Sequence, residues 1–132
     1  MIRPPRLGQR FKDRSMPHVV MEYSAGLEPA FDARAALVAV NAALAGCGEF
    51  AAGDIKSRAL RCDTVEIGDG GGDATFVHVR LQLLSGRDLA TRRRLTVLVL
   101  DALQHTVAPR AGLQVSVEAV EIERDSYAKR SF

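Results

Sequence analysis

A strand-helix-strand pattern occurs twice in this chain of 132 residues, and the repetition limits the folds open to it. In each half, a segment of alternating apolar and polar residues leads into apolar residues at helical spacing, and a second alternating segment follows. Strands are predicted at 18–23, 55–67, 75–84 and 113–123, and helices at 33–45 and 89–107. Because parallel strands joined by a helix cross over right-handedly, both helices are expected on one face of a four-stranded sheet. The predicted class is α+β, with the order β-α-β-β-α-β.

The predicted sheet keeps one face without helices. That face mixes apolar and polar side chains, namely Val20, Phe76, His78, Arg80, Val120 and Ile122. A half-apolar uncovered face on a small domain favours self-association. The same element order also fits a monomeric ferredoxin-like fold, and periodicity alone does not separate the two.

Composition excludes several classes of protein. No stretch approaches the roughly 18 to 20 apolar residues that a membrane span requires, and no apolar segment near the start resembles a secretory signal, so a cytoplasmic protein without a membrane partner is expected. Cys47 and Cys62 are the only cysteines, and the sequence holds neither CxxC nor HxxxH. We therefore expect no disulfide scaffold and no metal site.

Positive charge is concentrated at the start of the chain. Residues 1–16 contain five of the 18 basic residues and one of the 16 acidic residues. We expect this segment to be a basic extension that is disordered or absent from the mature protein, followed by a domain at 17–124 and a polar tail at 125–132. The three consecutive arginines at 92–94 fan around a helix, and the domain has few aromatic residues, so no nucleic-acid partner is expected.

Pro17 follows Met16 directly before the first strand. If translation starts at Met16 and the methionine is removed, the Pro17 nitrogen becomes a free secondary amine. Such an amine titrates near pH ~8, and burial or nearby cations lower its pKa toward the range of an efficient general base. If the chain starts at Met1, the same nitrogen is an amide without a basic lone pair. The sequence leaves both possibilities open.

Three segments carry a resemblance to a known family: MPHVVMEYS at 16–24, VNAALAGCGEFAAGDIKSR at 40–58 and DATFVHVRLQLLSGRDLATR at 73–92. The sequence over 16–124 resembles the 5-carboxymethyl-2-hydroxymuconate Δ-isomerase family of the tautomerase superfamily. The resemblance implies a tautomerase-like homotrimer whose N-terminal proline moves a proton in a dienol or unsaturated keto acid. It also implies a small carboxylate substrate from homoprotocatechuate meta-cleavage, and no cofactor or metal.

The resemblance assigns roles to individual residues. Pro17 stands at the position of the catalytic base, and Arg87 at that of an arginine that binds a substrate carboxylate. Lys56 stands where the family has a second arginine, and it keeps the charge but loses the bidentate geometry of a guanidinium. Arg58, two residues further on, lies on the same face of the strand and could substitute for it.

Two other functions remain open at this point. The lysine at position 56 is compatible with isomerisation or hydration of a different unsaturated keto acid. A retained leader is compatible with a trimeric binding protein of the same fold that catalyses no reaction.

Overall fold

The structure is a computed structural model that describes residues 16–69 and 72–132. Except for Met16, the predicted basic extension lies outside these residues. The regular elements are β1 (His18–Ser24), α1 (Ala33–Ala45), β2 (Lys56–Cys62), β3 (Thr75–Leu84), α2 (Leu89–Gln104) and β4 (Leu113–Ile122). The predicted α+β class and the element order are confirmed.

The four strands form one mixed sheet in the order β2-β1-β3-β4. β1 is parallel to β2 and β3 is parallel to β4, while the two central strands, β1 and β3, are antiparallel. Each helix therefore connects two adjacent parallel strands. A ferredoxin-like fold instead has a split unit, in which another strand separates the parallel pair. The adjacency of the parallel strands excludes that alternative.

Both helices pack on the same face of the sheet and enclose the core. Alternate residues of the central strands point into it, as β3 illustrates by burying Val77, Val79, Leu81 and Leu83. The two helices are capped as predicted: Asp32 Oδ1 accepts from the Ala35 amide at 3.0 Å and Asp88 Oδ1 from the Thr91 amide at 2.8 Å. The caps satisfy amides that the first helical turn leaves without partners.

Five predicted boundaries are wrong. β1 ends one residue later, at Ser24, and β2 begins one residue later, at Lys56. β2 ends at Cys62 rather than at residue 67, because its neighbour β1 ends at Ser24, which is the residue paired with Cys62. Without a strand beside it, the alternating segment after Cys62 has no ladder to continue. α2 ends at Gln104 rather than at residue 107. Just after this end, the Thr106 hydroxyl donates to the Leu103 carbonyl at 3.0 Å. β4 ends one residue early, at Ile122.

The uncovered face of the sheet carries a polar network between apolar residues. Arg80 Nη2 lies 3.3 Å from Glu22 Oε1, and the His78 ring lies between Ser116 and Glu118. Apolar side chains flank this network, and Val20 among them is 6% exposed. The mixture that the sequence predicts for this face is therefore present.

Among the described residues, neither helix is long and apolar enough to cross a membrane. Within the same ranges, no group of three or more His, Cys, Asp or Glu side chains is placed to hold a metal ion. Cys47 and Cys62 are both free thiols and both half-buried.

Replacing Leu95 by alanine should lower the free energy of unfolding by about 2–5 kcal/mol, because the side chain is fully buried between α2 and the sheet and its loss leaves a cavity. Leu89, in the same helix, is 52% exposed, and Leu89→Ala should change the stability by no more than about 0.5 kcal/mol. Urea denaturation of both variants measures the difference. Equal losses would contradict the placement of the core.

Candidate active site

One end of the sheet brings together all the residues that the sequence singled out. β1 and β2 begin at this end, while β3 and β4, which run the other way, finish there. His18, the first residue of β1, accordingly pairs with Lys56 on one side and with Gln82 on the other. The topology therefore places Pro17, the start of β2 and the turn that holds Arg87 at a common edge.

Pro17 is buried directly before β1. Its carbonyl accepts a hydrogen bond from the Lys56 amide at 3.1 Å, which ties the start of β1 to the start of β2. Met16, which precedes it, is 1% exposed and has a φ of +85°. Residues other than glycine seldom adopt positive φ, so the backbone is strained at the residue that acylates the proline nitrogen.

Arg87 lies at the same end of the sheet, in the turn between β3 and α2, and is almost entirely buried. Its side chain is 5% exposed, and Nε lies 3.0 Å from Glu49 Oε1. The guanidinium also stacks on Phe50, with Cζ 4.8 Å from the ring centroid. The carboxylate that this arginine contacts is therefore one of the chain's own. Glu49 reaches a second arginine as well, Arg94, at 3.3 Å.

Lys56 and Arg58 lie on the uncovered face, and both are exposed. They pair with His18 and Val20, which confirms that the two cations share one face of β2. Lys56 Nζ donates to the Asp54 carbonyl at 2.9 Å, and Arg58 Nη1 lies 3.2 Å from His18 Nδ1. Unlike Arg87, these cations have polar atoms that solvent and solutes can reach.

His18 joins this pair of cations to the C-terminal segment. A guanidinium can only donate, so the bond from Arg58 requires His18 Nδ1 to accept. The ring proton is then on Nε2, which donates to Tyr127 Oη at 3.2 Å. Burial lowers the pKa of His18 below its usual value, and the charges of Arg58, Lys56 and Lys129 lower it further.

The sequence analysis did not identify Glu49, Tyr127 or Lys129 as part of this region. Lys129 Nζ lies 2.9 Å from Asp54 Oδ1, beside the start of β2. The tail that contains it has neither periodicity nor a motif, so nothing local in the sequence indicated these contacts. Tyr23 is not part of this region. It lies near the far end of β1, where it packs on Phe31 with ring centroids 5.0 Å apart.

Two adjacent parallel β-α-β units, joined antiparallel at the centre of the sheet and with a proline immediately before β1, define a tautomerase fold. The sequence model of the 5-carboxymethyl-2-hydroxymuconate isomerase family matches residues 17–131. The chain belongs to this family of the tautomerase superfamily.

Similar proteins agree with this assignment. A 5-carboxymethyl-2-hydroxymuconate Delta-isomerase from Escherichia coli is 29% identical over 108 residues, which are 82% of this chain and 86% of that protein. The crystal structure of a 5-carboxymethyl-2-hydroxymuconate isomerase from Deinococcus radiodurans R1 superimposes with a TM-score of 0.82 at 27% identity, covering 92% of this chain and 94% of the other. A fused 4-OT symmetric trimer shares the fold alone, with a TM-score of 0.70 at 18% identity over 86% of this chain and 91% of that chain.

Glu49→Gln should lower the free energy of unfolding by roughly 3 kcal/mol, because it leaves the buried Arg87 guanidinium without its carboxylate partner. Glu121→Gln is the matched control: Glu121 pairs with Arg92 at 3.4 Å but is 41% exposed, so its loss should cost less than about 1 kcal/mol. Urea denaturation at neutral pH compares the two. Equal effects would show that the Arg87–Glu49 pair is no more important than a surface pair.

Protonation of His18 should destabilise the fold. Its pKa is lowered in the folded protein, so between that lowered pKa and the unfolded value of about 6.5 the unfolded chain binds more protons. The contribution of His18 to the free energy of unfolding is therefore fully present above about pH 6.5 and is lost as the pH falls toward the pKa of His18 in the folded protein. The stability advantage of the unsubstituted protein over His18→Gln should shrink on acidification, as measured by urea denaturation across that range. Parallel pH profiles would contradict the lowered pKa.

Proposed function

We propose that this protein is an isomerase that moves a proton within 5-carboxymethyl-2-hydroxymuconate, with the secondary amine of an N-terminal Pro17 as the general base. The observation that carries the proposal is the position of Pro17, buried at the start of β1 and at the first residue of the family match. The strained backbone at Met16 belongs only to the chain in which Pro17 is acylated, since a chain that begins at Pro17 has no such residue.

In the proposed reaction, the neutral Pro17 amine takes the proton of the substrate's 2-hydroxyl group. The electron pair moves through the conjugated system, and the resulting ammonium returns a proton to a carbon further along it. A base must be neutral to accept the first proton, and the burial of Pro17 together with the cations of β2 favours a lowered amine pKa. The same cations stabilise the negative charge that develops on the enolate.

Lys56 and Arg58 are proposed to bind substrate carboxylates. Both are exposed at the edge where β1 begins, and both present donors to that side. Arg87 is proposed as a further carboxylate ligand. Because Glu49 already engages its Nε, a substrate carboxylate would have to share or displace that contact. The stacking on Phe50 holds the guanidinium in one orientation for this exchange.

We also propose that the protein assembles as a homotrimer through the uncovered face of the sheet. Phe76, Val120 and Ile122 are half-buried on this face, and apolar surface left open on a sheet face favours association. A similar structure with the same fold is a symmetric trimer, which supports a trimeric state. The origin of the substrate in homoprotocatechuate meta-cleavage and a cytoplasmic location are part of the same proposal.

Activity should depend on a free Pro17 nitrogen. A protein that begins at Pro17 should ketonise 5-carboxymethyl-2-hydroxymuconate, whereas the 132-residue chain should be at least about 100-fold slower, because an amide cannot act as a base. Loss of the dienol's ultraviolet absorbance measures the rate, and intact mass confirms where each protein begins. Pro17→Ala, prepared so that the substituted position is the first residue of the protein, keeps an amine but not the ring and should lose most of the activity.

Full activity from the 132-residue chain would contradict the proposed base. If neither protein reacts, the function becomes that of a binding protein with the same fold. That second function requires a retained leader, and Met16, directly before Pro17, is 1% exposed.

A further inference from the structure

The segment after β4 folds back across the end of the sheet where β1 and β2 begin. We call residues 124–130 the C-terminal strap. The Arg124 amide bonds Ser85 Oγ at 3.1 Å, and a 3-10 turn at Arg124–Ser126 then redirects the chain. Tyr127 reaches His18, and Lys129 reaches Asp54. The strap thus brings two polar side chains to the neighbourhood of Lys56 and Arg58.

The Tyr127 hydroxyl has a proton that the described residues do not use. The bond from Arg58 forces His18 Nδ1 to accept, so Nε2 donates to Tyr127 Oη and the phenol oxygen acts as the acceptor. No other contact of this hydroxyl occurs in residues 16–69 and 72–132. Its O–H group is therefore able to donate to an acceptor supplied from outside the chain. The edge-to-face packing of the two rings, at 74° and 6.4 Å, holds the phenol in place.

The charges around this hydroxyl suit an anion. Lys56, Arg58 and Lys129 are positive, Asp54 is negative, and His18 is neutral above its lowered pKa. These five side chains together carry a net charge of +2. The Lys129 side chain is 28% exposed in its contact with Asp54, so part of it stays open to solvent while that pair is formed.

We propose that Tyr127 and Lys129 bind one further carboxylate, so that the strap selects substrates with three carboxylates over those with two. This inference rests on the proposed function, since 5-carboxymethyl-2-hydroxymuconate carries a carboxymethyl group in addition to the two carboxylates of a muconate. Lys56, Arg58 and Arg87 hold the two carboxylates of the muconate part. The ammonium and the phenol O–H of the strap hold the third, through hydrogen bonds in which one or both partners are charged.

The test uses two probes that differ by a single carboxylate, glutarate and tricarballylate, which is glutarate with a carboxylate on its central carbon. Calorimetry on the full 132-residue chain should give tighter binding of tricarballylate. Lys129→Ala should reduce the ratio of the two affinities about tenfold, the size expected for a hydrogen bond to a charged group. Tyr127→Phe should also reduce the ratio, but by less. Arg130→Ala removes an exposed charge from the same strap and should keep the original ratio.

The Asp54→Asn variant distinguishes two roles of Lys129, which could bind the third carboxylate or only hold the strap in place through Asp54. If Lys129 binds the third carboxylate, removing the competing charge of Asp54 should keep or raise the ratio. If Lys129 only anchors the strap to Asp54, this variant should reduce the ratio as Lys129→Ala does, and the proposal is overturned. It is equally overturned if the unsubstituted chain shows no preference for tricarballylate, or if Lys129→Ala behaves like Arg130→Ala. Since calorimetry measures binding to a chain whose Pro17 is acylated, its outcome is independent of the activity test of the base.

Discussion

The antiparallel pairing of β1 with β3 is the constraint on which the site depends. Each β-α-β unit is parallel within itself, so the direction in which the two units meet decides which strand ends share an edge. The antiparallel junction joins the starts of β1 and β2 to the finishes of β3 and β4. If the units met in parallel, Pro17 and the turn of Arg87 would lie at opposite ends of the sheet. The proposed base would then be separated from the arginine that follows β3.

Burial separates the cations at this edge into two groups. The Arg87 guanidinium is almost wholly removed from water and needs a charged partner, which Glu49 supplies at 3.0 Å. Lys56 and Arg58 are exposed, so water can solvate them and no carboxylate of the chain is required. A cation that the fold does not neutralise retains more of its attraction for a substrate anion. The resemblance assigned carboxylate binding to Arg87 first, whereas the structure makes Lys56 and Arg58 the more accessible pair.

The parts of the fold that follow from local chemistry were predictable. β3 alternates from Val77 to Leu83, and Asp88 caps the helix after it, so the predicted bounds of the strand and the predicted start of the helix agree with the structure. The end of β2 was not predictable, because it depends on where a neighbouring strand stops. The same holds for the site: Pro17 and Arg87 are 70 positions apart, and only the pairing register brings their segments to one edge. The contacts of Glu49 and Tyr127 are tertiary contacts of loops, which have no periodic pattern to indicate them.

A neutral His18 limits the positive charge of the cluster of cations beside the proposed base. A protonated imidazole would add a further positive charge and could not accept from Arg58, so the neighbouring cations and the burial of the ring both favour its neutral form. In that form the ring accepts from β2 and donates to the strap, and thereby links two segments that share no backbone pairing. Because His18 directly follows Pro17, the strap that closes the domain at its C-terminal end also steadies the residue next to the proposed base. The hydrogen bonds of His18 therefore depend on the packing of the C-terminal strap against the start of the first strand.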